Sequence, residues 1–143
     1  MARGIPAEVI RHFKAIPLFS GLSQKELRAV VQLAAEVDEP AGTTLIREGD
    51  LGEELFVLVS GTARISRKGR SVGELGPGDF FGELAMLTHT PRNATIVTTS
   101  DARLFIVSSR DFRRLVGGNS RMAVAMLSAV ATRLRQAERS VLS

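Results

Sequence analysis

The spacing of apolar residues changes along the chain, and the changes divide it into elements. Over residues 6–12 and again over 23–35 the apolar positions recur every three or four residues, as at Leu27, Val30, Val31 and Ala34, which predicts two short amphipathic helices. The second opens with Ser23-Gln-Lys-Glu26, a pattern in which a serine hydroxyl and a glutamate three residues on cap one helix start reciprocally. IPLFSG (16–21), between them, reads as a turn. After Pro40 the chain turns to short β-prone runs, TTLIRE (43–48), ELFVLVSG (54–61), TARISRKG (62–69) and SVGELGPG (71–78), with ATIVTTS (94–100) and ARLFIVS (102–108) further on. Glycine-bearing corners at Gly42, Gly52, Gly61, Gly69 and Gly76-Pro-Gly78-Asp79 separate them, and this regular punctuation predicts an antiparallel roll or barrel. Residues 111–116 then read as a helix capped by Ser108 or Ser109 and ended by Gly117-Gly118. From Asn119 onward Met122, Met126, Val130, Leu134, Ala137 and Val141 form an apolar seam on one long helix, with arginines between them.

Composition narrows the function classes. A chain of 143 residues, 44% hydrophobic and 24% charged, suffices for one domain with its own core. It contains no cysteine, so disulfides and thiolate metal sites are excluded. The N-terminal stretch is interrupted by Arg3, Glu8, Arg11 and Lys14, and the longest apolar tract (122–131) is far short of the ~20 residues of a membrane span, so a cytoplasmic segment without membrane contact is expected. The net charge of +4 comes from scattered residues, and with no Trp or Tyr to stack on bases it is a poor signature of nucleic-acid binding. His12 and His89 are the only histidines and are far apart in the chain, which argues against a metal-dependent oxygenase or isomerase, and no nucleophile and base stand in an evident pair. No enzyme activity, metal or cofactor is expected.

The chemistry concentrates in FGELAMLTHTPRNAT (81–95). Gly82 lets the backbone approach a ligand closely, and the residues after it favour a helix whose first N–H groups lack internal partners and attract an anion. Arg92 returns to the same neighbourhood after Pro91, with a guanidinium suited to two oxygens of one phosphate. Glu83 would repel that phosphate unless it engages a sugar hydroxyl, so the residues together suggest a sugar phosphate. The plainer alternative is that Glu83 and Arg92 form a surface ion pair at a helix start.

Taken whole, the stretch closely resembles the phosphate-binding cassette of cyclic nucleotide-binding domains: F-G-E-hydrophobic-A-hydrophobic-hydrophobic, three variable residues, then P-R-x-A-Ser/Thr. The resemblance extends to AGTTLIREGDLGEELFVLVSGTARIS (41–66), to GPGDFFGE (76–83) and to IPLFSGLS (16–23), and so covers nearly the whole chain. It implies an α+β, mainly β fold, an antiparallel eight-stranded β-roll of jelly-roll-like barrel type flanked by N-terminal helices and by B- and C-type C-terminal helices. One domain is expected over 1–143, with an N-terminal helical part (1–38), a β-roll (40–108) holding the cassette (80–95), and C-terminal helices (109–143).

Carried over position by position, the resemblance implies that Glu83 holds the ribose 2′-hydroxyl, that Arg92 holds an exocyclic phosphate oxygen, and that backbone amides near Leu84, Ala85 and Asn93 complete the phosphate shell. Gly82 would admit the ribose, and Ile65 and Val72 fall where relatives wall in the base, although apolar strand residues also serve a plain core. Arg133 lies where a lid arginine reaches the base, in competition with Arg121, Arg135 and Arg139. The position after the arginine carries Ala or Ser in many cAMP-selective relatives and Thr where cGMP is favoured or tolerated; Asn93 fits neither pattern. The expected ligand is cAMP, with cGMP open. The expected role is a regulatory sensor that repositions its last helix, alone, as a homodimer through that helix, or with an effector domain in the same or another chain, such as an ion channel or a catabolite-activator-type transcription factor. The chain ends at Ser143, so direct DNA binding by this segment is not expected.

Overall fold

The computed structural model describes residues 5–82 and 85–142, with side chains described at all of these except 85, 87, 133, 134 and 136–142. Helix α1 (Ala7–Lys14), a 3-10 turn (Pro17–Phe19) and α2 (Gln24–Leu33) precede strands β1 (Ala35–Glu39), β2 (Thr44–Ile46), β3 (Glu54–Ser60), β4 (Ala63–Arg67), β5 (Arg70–Leu75) and β6 (Phe80–Phe81). The single turn α3 (Ala85–Thr88) is followed by β7 (Thr95–Thr98), β8 (Ala102–Ser108), α4 (Ser109–Gly117) and α5 (Ser120–Leu142). The strands form two four-stranded sheets, ordered β1-β8-β3-β6 and β2-β7-β4-β5, with antiparallel pairing throughout. The architecture is the expected eight-stranded roll, built as two sheets and not as one closed barrel.

The apolar run of β3 explains how the layers stack. Leu55 and Val57 face the helices, where they join Phe13, Phe19, Phe112 and Met122 in one core. Phe56 and Leu58, on the opposite face, join Leu104 inside the roll, against Leu45, Ile46 and Leu75 of the other sheet. A strand buried on both faces cannot alternate with polar residues, so it reads as an unbroken LFVLV.

The capping box is formed: the Ser23 hydroxyl accepts from the Glu26 N–H at 3.2 Å, and the Glu26 carboxylate accepts from the Ser23 N–H at 2.8 Å. Ser108 caps α4 by accepting from the Asp111 N–H, and Gly118 terminates that helix. Two local differences from the sequence pattern stand out. IPLFSG, read as a turn, contains the 3-10 turn, and Ala35–Glu39 is a strand where the N-terminal helical part is expected to run to residue 38. That strand is an edge of its sheet, largely exposed, and three of its five residues are acidic, so it lacks the apolar alternation by which strands are read.

The apolar seam expected on the last helix is buried at its start, at Met122 and Met126, while Val130 further along it is 37% exposed and the side chains of Leu134, Ala137 and Val141 lie outside the described residues. Val124 and Leu127, which are not part of that seam, are exposed, at 65% and 72%. Arg121 pairs with Glu26 of α2 and ties the start of α5 to the helical layer. No described helix is long and apolar enough to cross a membrane.

Candidate functional site

The site is built around Arg92. After α3 the chain passes His89, which adopts a left-handed φ of 55°, and Pro91, which bridges to Leu51. The Arg92 N–H donates to the Asp50 carbonyl at 2.8 Å, and its carbonyl accepts from the Gly49 N–H at 2.8 Å. With its backbone clamped to residues 49–51, the arginine projects inward and is only 6% exposed.

Inside, Nη2 donates to the Glu54 carbonyl at 3.1 Å and lies 3.9 Å from the Glu54 carboxylate, while the guanidinium sits 5.9 Å from the centroid of the Phe56 ring. Nη1 is buried with no hydrogen-bond partner among the described residues. Burial pushes the Arg92 pKa down and the charge of Glu54 pushes it back up, yet an arginine stays cationic in any physiological range. A buried cation with an unused donor is costly to fold around, and an anion is a chemical partner suited to it. The guanidinium is not at the surface, and its nearest described carboxylate is that of Glu54.

Two glycines make the slot for this side chain. A Cβ at Gly52 would stand 2.6 Å from Nη2; one at Gly82 would stand 2.7 Å from Nη1 and 2.5 Å from the Glu54 carbonyl. Gly82 also has a φ of +86°, which disfavours any side chain there. The neighbours that require glycine at 82 are therefore the Glu54 carbonyl first and the arginine next.

Beside the guanidinium opens a cavity of about 590 Å³, within the range of small-molecule sites. Phe80, Phe81, Ile46 and Ile65 supply apolar wall, and Phe81 stacks on Phe56 at 4.8 Å between ring centroids. Arg67, Thr88, Thr90, Arg92 and Asn93 supply the polar lining. An apolar wall with a cation at one end and hydroxyls beside it suits a planar base joined to an anionic sugar phosphate.

The residues expected from the sequence are placed as follows. Gly82, Arg92, Asn93 and Ile65 meet at the cavity. Glu83 and Leu84 lie outside the described residues; Ala85 opens α3, its side chain outside them, and so does the side chain of Arg133 on α5. Val72 is 55% exposed and does not line the cavity. Its strand is irregular there, since Ile65 pairs with Gly73 and Ser66 with Ser71, which leaves Val72 at a bulge without a cross-strand partner.

Sequence reasoning overlooked Glu54, Gly52 and Arg67. The first two reach Arg92 from about forty residues away, and no local pattern signals that. Arg67 was legible, because it lies two positions beyond Ile65 on the same strand face; its Nε donates to the Asn93 carbonyl at 3.1 Å.

Comparison with known proteins agrees with this geometry. Residues 36–119 match the family model described as "Cyclic nucleotide-binding domain". The chain is 41% identical over 112 residues to a cAMP-dependent protein kinase regulatory subunit of Mycosarcoma maydis, covering 71% of this chain and 21% of that protein. It is 31% identical over 130 residues to the Cyclic AMP receptor protein of Thermus thermophilus, covering 87% of this chain and 60% of that protein. It thus spans less than two thirds of the length of either relative. Among solved structures, the N-terminal domain of a transcriptional regulator from Streptomyces coelicolor A3(2) superimposes with a TM-score of 0.83 at 28% identity, over 88% of this chain and 94% of that one. The cassette sequence, the two-sheet roll, the buried arginine at its cavity and the matched family model lead to one conclusion: the chain belongs to the cyclic nucleotide-binding domain family.

Proposed function

We propose that this domain is a sensor that binds cAMP, or in second place cGMP, and answers by repositioning its last helix. The observation that carries the reading is Nη1 of Arg92, a buried donor with no partner among the described residues, beside a cavity of nucleotide size. An exocyclic oxygen of a cyclic phosphate would complete its hydrogen bonding, with the amides near Leu84, Ala85 and Asn93 around it. Glu83 would then take the ribose 2′-hydroxyl, and Ile65 with the Phe80–Phe81 wall would meet the base. Two relatives named for cAMP support the choice of base.

The output follows from α5. Its first turns are anchored by Met122 and Met126, while a groove lined by small residues, among them Gly21, Ser128 and Ala129, runs between its middle and the 3-10 turn. A nucleotide that bound more tightly when α5 lay across the pocket, with Arg133 over the base, would shift the helix toward that position. No catalytic step is required, and the effector would lie in another domain or chain. A second reading adds self-association: Val124 and Leu127 present an exposed apolar stripe of the kind that pairs helices about a two-fold axis.

Thermal unfolding with added nucleotide tests the binding reading. A ligand that binds only the folded state stabilises it by about 2.7 kcal/mol at one hundred times its Kd. Tm should rise with cAMP and much less with the open-chain 5′-AMP; equal behaviour of the two, or no rise, would contradict the proposal.

A further inference from the structure

We propose that His89 is a positioning residue for the nucleotide site, holding the Arg92 turn against α4 through a neutral imidazole and so making nucleotide affinity fall in acid; this rests on the binding reading above. His89 occupies a variable position of the cassette, in a left-handed conformation that is uncommon for non-glycine residues. Its ring is held from both sides. Nδ1 lies 2.5 Å from the Glu53 carboxylate, and Nε2 lies 2.5 Å from Nη2 of Arg113 on α4. The chain of contacts then closes into a ring, because Arg113 Nε donates to the Ser109 hydroxyl at 3.0 Å and that hydroxyl donates to the Met86 carbonyl of α3 at 2.8 Å. The Ser109 N–H donates to the Glu53 carbonyl at 3.1 Å. Three segments are tied together: residue 53, next to the Glu54 that holds Arg92; the cassette; and the start of α4.

The protonation state follows from the partners. A guanidinium only donates, so Nε2 must accept, and the proton of a neutral ring must sit on Nδ1, facing Glu53. Protonation would place a second N–H and a positive charge against Arg113 while leaving the Glu53 contact intact, so the link to α4 opens in acid. Glu53 and Arg113 are the charged groups that meet the ring among the described residues. Histidine changes charge between pH 5 and 8, where a cyclic phosphate diester keeps its single charge. Both His89 and Glu53 are half exposed, at 48% and 52%, so solvent moderates the effect.

The test is calorimetric titration of the full chain with cAMP and cGMP at pH 8.0, 7.0, 6.0 and 5.5, in wild type, His89→Asn and His12→Asn. Asparagine tolerates the left-handed conformation, so His89→Asn preserves the turn and removes the titrating ring. Wild-type affinity should fall about three- to fivefold from the highest to the lowest pH. His89→Asn should bind about three- to fivefold more weakly at pH 8.0 and show no slope, and His12→Asn should keep the slope. A flat wild-type profile, or a slope that survives in His89→Asn, overturns the proposal while leaving nucleotide binding intact. Absence of any binding in wild type overturns the sensor reading instead. The latch is then judged without ligand, by 15N NMR of the ring at pH 8: an Nδ1-protonated His89 supports it, and an Nε2-protonated one refutes it.

Discussion

Gly52 and Arg92 are complementary: the missing side chain of one is the space that holds the guanidinium of the other, within 2.6 Å of where a Cβ would stand. Since Gly52 does not adopt a positive φ, alanine fits its backbone, and the three atoms its Cβ would meet first all belong to the arginine. Gly52→Ala should therefore leave the fold intact and push the guanidinium out of register with its ligand. We expect cyclic nucleotide affinity to fall by about tenfold or more, equivalent to ~1.4 kcal/mol, with a Tm close to that of wild type. A fluorescent cyclic nucleotide displacement assay alongside thermal unfolding separates the two quantities.

Burial of Arg92 favours the ligand and burdens the empty protein. Replacing it by methionine removes a buried charge and its unused donor but keeps an unbranched side chain over Phe56. Arg92→Met should unfold at the same temperature as wild type or higher when no nucleotide is present. The gain in Tm on adding cAMP should disappear. A large loss of stability without nucleotide would show instead that the Glu54 contacts hold the fold together.

Acid should weaken the helical layer through Glu26. Its carboxyl is held below the ordinary value of 4.5, first by the Ser23 N–H and then by Arg121 and the Ser23 hydroxyl, against the opposing effect of burial. A lowered folded-state pKa means that the stabilisation is fully present above the unfolded value and is lost as pH falls through the folded one. Chemical denaturation between pH 7 and 3 should show wild type losing stability below about pH 4.5, with a shallower decline in Glu26→Gln. Ser23→Ala should cost about 1 kcal/mol near neutral pH, the usual effect of removing an N-cap.

The outer face of α5 predicts self-association. If Val124 and Leu127 pair across a two-fold axis, sedimentation should show a concentration-dependent dimer, and Leu127→Glu should give a monomer with an unchanged roll. A wild-type protein that stays monomeric at high concentration would leave that stripe to a different partner.

Much of this molecule is readable from residue patterns, and the exceptions share a cause. The capping box, the glycine corners, the strand runs and the described part of the cassette are local signals, and they lie where spacing places them. Strand β1 escapes detection because its Glu36, Asp38 and Glu39 sit on an exposed edge, where register with β8 decides the conformation and propensity does not. The start of the seam on α5 lies on the core as spacing places it, at Met122 and Met126, whereas Val124 and Leu127 form a second, exposed apolar face that the seam does not include. The partners of Arg92 and the ring around His89 join positions tens of residues apart, which no one-dimensional pattern encodes. Val72, which the family resemblance assigns to the wall, stands at a bulge and is exposed.

The most direct measurement is calorimetric titration of the purified chain with cAMP at neutral pH, repeated with cGMP and with Arg92→Ala. The account predicts one-to-one binding to wild type, tighter for cAMP than for cGMP. It predicts a loss of about 3 kcal/mol in Arg92→Ala, as expected when a buried charge-assisted contact to phosphate is removed. No heat with either nucleotide at sub-millimolar concentration, or equal affinity in the Arg92 variant, would contradict it.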